Sequence, residues 1–138
     1  MKFYQEIIQV PTRGKCLHNI THLVDKVIAN SGIQTGLCTV FILHTSASLI
    51  IQENADPDVL ADLSNFFQKL VPEEAHYLHS AEGKDDMPSH IRSVLTNTSE
   101  NLIVRQGRLL LGTWQGIYVW EHRSRSYNRK VAVHVQGE

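Results

Sequence analysis

The 138-residue chain contains no apolar stretch approaching the ~18 consecutive residues that a membrane span requires, so no membrane partner is expected. Its first ten residues, MKFYQEIIQV, lack the apolar centre of a secretory signal, because Glu6 interrupts the run; a cytoplasmic protein is expected. Cysteine is scarce. The two present, Cys16 and Cys38, are far apart and form no CxxC pair, so they read as structural or buried thiols, in keeping with a cytoplasmic protein. Neither sign of charge dominates: 13 basic residues face 14 acidic ones. A net charge of −1 provides no general field to attract nucleic acid, so no nucleic-acid partner is expected. The motifs that announce common chemistries are missing too, with no P-loop, GxGxxG, GxSxG or HExxH. Nothing repeats internally, and the length suits one domain over residues 1–138.

Histidine, by contrast, is abundant at eight residues. It is the commonest metal ligand and the usual proton carrier near neutral pH. The hydrophobic pattern sets these residues on a mixed framework. Residues 2–10 alternate as a strand, with Phe3, Gln5, Ile7 and Gln9 opposing Tyr4, Glu6, Ile8 and Val10. Residues 17–31 repeat apolar side chains at helical spacing and end before Gly32; His18 and His22 share a face there. The nearly continuous apolar run 37–44 reads as a central strand, and 48–53 as another. Asp56-Pro57 caps a helix whose apolar stripe is Val59, Leu60, Leu63, Phe66, Phe67 and Leu70. Pro72 ends it. Residues 73–87 form a long polar loop of the kind that is functional in a small domain. Pro88 opens a short helix expected to turn Ile91, Val94 and Leu95 inward. The rest reads as strands at 101–105, 108–112, 117–122 and 130–136.

Ligand-type side chains crowd the stretch from His44 to Asp62. His44 ends an apolar strand, where it is either a satisfied core histidine or a rigidly held ligand; the acids Glu53, Asp56, Asp58 and Asp62 that follow favour the second. His79, Glu82, Asp86 and His90 are expected to join it in space, with Gln115 and Glu121 lining the same cleft. Glu121 falls on the face of its strand that carries Ile117 and Val119. An acid there is costly unless it is paired or bound. Three histidines with carboxylates suit a divalent cation, with zinc as the expectation. The basic run Arg123, Arg125, Arg129 and Lys130 is either a solvated loop or an edge that grips phosphate.

Three stretches carry a resemblance: HTSASLIIQENADPDVLADL, HSAEGKDDMPSH and GRLLLGTWQGIYVWEHR. Together they resemble the YjbQ-like family, also called the secondary thiamine-phosphate synthase family. The resemblance implies a single-domain α+β sandwich of a largely antiparallel β-sheet with about three helices. It also implies a homotrimer and a histidine-lined metal site near a subunit interface. The metal ligands it implies are His44, His79 and His90. The catalytic set it implies comprises Glu53, Asn54, Asp62, Gln115 and Glu121, with Arg123, Arg125 and Arg129 steadying phosphate. The implied reaction joins a pyrimidine diphosphate to a thiazole phosphate and releases pyrophosphate. A metal-dependent hydrolase of a small phosphorylated metabolite, and a non-catalytic metal-binding trimer, use the same residues. One departure stands out: many relatives carry Asn where this chain has Asp86, which changes both charge and donor pattern.

Overall fold

The computed structural model describes all residues from Met1 to Glu138. Strand β1 (Lys2–Pro11) is followed by β2 (Cys16–Asn19), helix α1 (Thr21–Ser31), β3 (Thr35–Ile42) and β4 (Ala47–Glu53). Then come helices α2 (Pro57–Leu70) and α3 (Asp86–Leu95), and strands β5 (Ser99–Arg105), β6 (Arg108–Leu109), β7 (Gln115–Glu121) and β8 (Asn128–Gly137). Two sheets form, in the orders β1-β8-β3-β5-β6 and β2-β7-β4. Every strand pair in them is antiparallel. The expected α+β architecture with three helices is therefore the one observed. No helix is long and apolar enough to cross a membrane.

Alternation along the strands makes the core. Cys38, Val40 and Ile42 of β3, Val131, Val133 and Val135 of β8, and Leu102 and Val104 of β5 point inward. They meet Ala47 and Leu49 of β4, Ile117 and Val119 of β7, and Val24, Val27 and Ile28 of α1. The opposite face of the small sheet is covered by α2 and α3: the Phe67 ring stands edge-on to Trp120 at 4.8 Å, and Thr96, just past α3, donates to Ser48 Oγ at 2.6 Å. Strands β3 and β8 approach so closely at Gly36 and Gly137 that a Cβ on either would collide with the other's backbone.

Local chemistry sets the ends of the elements. Asp56 accepts from the Asp58 amide at 2.9 Å and Pro57 opens α2. Gly32 ends α1 in the left-handed region at φ 70°. Between β5 and β6, Gln106 and Gly107 both take positive φ, the two-residue turn that suits strand twist.

Several boundaries differ from expectation. Residues 16–19 are a strand, not the start of a helix, because Leu17 and His18 pair with Trp120 and Val119 and tertiary pairing overrides local propensity. Strand β3 stops at Ile42, leaving His44 in the connection to β4; β6 spans only two residues, and α3 begins at Asp86 rather than at Pro88. The α2 stripe is only half covered, with Phe66 60% and Leu70 53% exposed. On α3 the expected face is reversed. Ile91 is half-buried and Val94 and Leu95 are exposed, while Asp86, Pro88, Ser89, Arg92 and Ser93 are buried.

Candidate metal centre and its surroundings

One helical turn sets the spacing at the start of α3. Asp86 and His90 lie four residues apart and face the same side. His79 folds back from the irregular stretch before the helix. Its Nε2 lies 2.6 Å from Asp86 Oδ2, and His90 Nε2 lies 3.3 Å from the same oxygen. The imidazole centroids are 5.6 Å apart. One ligand atom from each of the three residues lies within 4.8 Å of the others. Asp86 is 2% exposed, whereas His79 reaches the surface.

Neighbouring groups hold these ligands in place. Asp86 turns its second oxygen to Arg123, at 2.8 Å from Nη1. Arg123 also donates from Nε to Asp85 at 3.0 Å and from Nη2 to the Glu82 carbonyl at 2.9 Å. Burial opposes ionisation of Asp86, but the His79 hydrogen bond and the charges of His90 and Arg123 outweigh it, and its carboxyl sits below the ordinary range. At Asp85 burial is likewise outweighed, by Arg123 and the Ser124 amide and hydroxyl, and the pKa falls to about 2. The anchor of His90 decides its chemistry. His90 Nδ1 lies 2.9 Å from the Thr45 carbonyl, which can only accept. The Nδ1 nitrogen must therefore carry hydrogen. That leaves the Nε2 lone pair facing a carboxylate oxygen, so the two groups offer ligand atoms to one cation.

His44 lies beside this group and outside it. Its Nε2 accepts the Lys130 amide at 2.8 Å, which uses the lone pair that would otherwise bind a metal. Burial first, then Arg129 and Lys130, hold its pKa below the usual value. Glu121 is fully buried and fully satisfied. Thr12 donates to it at 2.6 Å, Arg129 Nε at 2.7 Å and the Arg123 amide at 3.1 Å. Arg129 is 4% exposed, grips both Glu121 oxygens and lies 4.6 Å above the Tyr127 ring. Of the three arginines, Arg123 and Arg129 are thus committed to carboxylates, and Arg125 alone is exposed and without a side-chain partner.

The remaining predicted residues gather elsewhere. Glu53 pairs with Gln115 at one end of the β4–β7 ladder, and Ala47 pairs with Glu121 at the other. Six residues at ~3.4 Å each put about 20 Å between those ends. Asn54 donates to the Gln115 carbonyl at 3.2 Å, Gln115 Oε1 accepts the Gly112 amide at 2.8 Å, and Glu53 accepts the Asp56 amide at 3.1 Å. Asp62 is exposed on α2. Sequence reasoning missed the anchors Thr45 and Thr12, and missed His122, whose Nε2 lies 2.8 Å from Ser48 Oγ. Only the outward alternation of His122 with Tyr118 and Trp120 could have pointed to it.

The comparisons agree on kinship. The family model described as UPF0047 protein YjbQ-like matches residues 6–138. The UPF0047 protein sll1880 of Synechocystis sp. is 61% identical over 136 residues, covering 98% of this chain and 92% of that one. The UPF0047 protein YjbQ of Salmonella typhimurium is 47% identical over 137 residues, covering 99% of each. Among solved structures, a YbjQ-like protein of Sulfolobus solfataricus superposes with a TM-score of 0.90 at 25% identity, covering 99% of both chains. The conserved hypothetical protein TT1486 of Thermus thermophilus gives 0.86 at 32% identity, covering 95% of this chain and 99% of that one.

Proposed function

The chain belongs to the YjbQ-like UPF0047 family, and from that premise we propose that His79, Asp86 and His90 hold a divalent metal ion, zinc by donor type, at a site that acts on a small phosphorylated metabolite. The observation that carries this is the His90 ring, whose Nε2 is left facing Asp86 once Nδ1 is given to Thr45. Two imidazoles and one carboxylate suit zinc, and three protein ligands leave a position open, as catalytic sites do and structural ones do not. Bound there, the cation would stabilise charge developing on a departing phosphate oxygen.

The chain's own groups supply the rest. A cleft of about 350 Å³ opens beside His79, lined by His76, Tyr77, Lys84 and Met87. That volume suits a small metabolite. Lys84 is mostly exposed and held only loosely by Glu74 at 3.7 Å, so it is free to meet a phosphate, as is Arg125. Arg123 keeps Asp86 aimed, and the Thr45 carbonyl keeps His90 in one tautomer. We read the reaction as the synthase-type transfer that the family resemblance implies, with pyrophosphate as leaving group. We further propose a homotrimer and a cytoplasmic location; the two free thiols, Cys16 and Cys38, suit a reducing compartment.

The test begins with metal analysis of the native protein beside a His79→Ala/His90→Ala double variant. We expect one metal per chain in the native protein and none in the folded variant. Native protein without metal after supplementation would falsify the site. Product analysis with a pyrimidine diphosphate and a thiazole phosphate follows. Ligation with release of pyrophosphate supports the synthase; free phosphate without ligation sinks it and leaves the hydrolase.

A further inference from the structure

Arg92, on the buried face of α3, is 4% exposed and forms no ion pair. Its guanidinium makes one hydrogen bond, from Nη2 to the Val71 carbonyl at 2.8 Å. Its Nε is buried and has no acceptor. Removing a guanidinium from water without a direct ion pair is costly; the acid whose charge acts most on Arg92, Glu73, is itself engaged by Lys15. Most buried arginines are found against carboxylates, as Arg129 is here against Glu121.

The space in front of Arg92 supplies the explanation. A cavity of about 130 Å³ lies between α2, α3 and β7, with Lys15, Ser64, Phe67, Gln68, Trp120 and His122 on its wall. Glu121 also reaches the wall, but its oxygens are taken by Thr12 and Arg129. Lys15 pairs with Glu73, whose side chain is 17% exposed. The cavity is thus walled by two cations, one of them unpaired, and by two aromatic rings. His122 adds no charge: burial first, then Arg92, Arg129 and Lys15, push its pKa down to about 3. In size the space holds about four water-sized groups at ~30 Å³ each, enough for a phosphate and too little for a nucleotide.

We propose that this cavity is an oxyanion site that takes phosphate or a phosphoryl group, with Arg92 as its main ligand and Lys15 as a second. Arginine provides a fork of donors that matches phosphate, and lysine adds a movable point charge. The Ser64 hydroxyl and the Gln68 amide offer further donors from α2. Nothing in this assignment depends on a metal at His79, Asp86 and His90.

The probe is inorganic phosphate, followed by calorimetric titration and by thermal denaturation on the full chain, with acetate at matched ionic strength as comparison. We expect saturable binding of phosphate and a rise in Tm, with acetate giving neither. Arg92→Met abolishes the response. Lys15→Met, at the exposed rim, keeps the fold and weakens binding about tenfold or more, as loss of one charge-assisted hydrogen bond does. If Arg92→Met fails to fold, Lys15→Met decides the matter alone. His79→Ala/His90→Ala retains the response, which separates this cavity from the metal centre. The proposal is overturned if the native protein shows no saturable binding, if acetate binds as well as phosphate, if Lys15→Met binds undiminished, or if the double histidine variant loses the response.

Discussion

His122 is 1% exposed, and its environment makes stability depend on pH. Burial is the largest influence, followed by the charges of Arg92, Arg129 and Lys15, and together they lower its pKa from 6.5 to about 3. The folded-state value lies below the unfolded one, so the unfolded chain takes up the proton first as pH falls. The stability that neutral His122 contributes is complete above about pH 6.5, is lost as pH falls toward the folded value, and changes at most ~1.4 kcal/mol per pH unit. We predict that native protein loses about 2 kcal/mol more than His122→Gln between pH ~6.5 and ~4.5 in urea titrations. Parallel curves for the two proteins would show that the ring is not held neutral. At this scale the sequence was informative about single costs and silent about partners. Alternation alone marked Glu121 as an acid needing compensation, and it is fully buried and saturated. Its main partner, Arg129, sits in the basic run that reads as either a solvated loop or a phosphate-gripping edge, because a run of basic residues does not reveal which of them turn inward. The lone pair of His44 is taken by the Lys130 amide, a backbone group that no side-chain pattern encodes.

Helix α3 inverts the ordinary rule for a surface helix. Its apolar side chains Val94 and Leu95 are 83% and 53% exposed, and its buried face is Asp86, Ser89, Arg92 and Ser93. Part of that face is held by partners: Ser89 Oγ lies 2.8 Å from the His122 carbonyl and Asp86 meets Arg123, while Thr96, just past the helix, reaches back to Ser48; Arg92 Nε and Ser93 Oγ have none. Periodicity found the helix and chose the wrong side, since hydropathy counts only apolar burial and this interface is polar. The two assignments predict opposite rankings. We expect Val94→Lys to change unfolding free energy by no more than ~0.5 kcal/mol. Ser89→Ala, which removes a buried hydrogen bond, is expected to cost roughly 1–3 kcal/mol. Denaturant midpoints measure both, and a costly Val94→Lys beside a neutral Ser89→Ala would restore the apolar-inward helix. The strands were easier to read. The apolar run that became β3 and the alternation of β1, β7 and β8 appeared in the sequence with boundaries off by one to a few residues. Strand β2 was lost because its four residues gain their conformation from β7.

Across the whole molecule, the outer face of the five-stranded sheet presents apolar side chains in register. Ile7 and Phe41 both pair with Ala132, and Phe3 and Leu37 both pair with Gln136, with Ile103 beyond Leu37. Phe3 is 67%, Ile7 61%, Phe41 44% and Ile103 54% exposed. Contiguous apolar surface of this kind marks a face that another protein covers. The homotrimer proposed above would give that face an occupant. It also bears on the site, because Glu53, Asn54 and Gln115 stand about 20 Å along the β4–β7 ladder from the end that carries Glu121. Within one chain these residues cannot act on one small substrate, whereas a neighbouring copy can bring its own set to the first chain's cleft. We predict that the native protein sediments as a trimer at micromolar concentration. Ile7→Lys/Phe41→Lys is predicted to sediment as a monomer with unchanged far-ultraviolet circular dichroism, since both side chains already face outward. A native monomer would leave the Glu53–Gln115 cluster as a brace for the β4–α2 turn. A trimer that survives both substitutions would move the interface to another apolar surface, such as the half-covered stripe of α2 with Phe66 and Leu70.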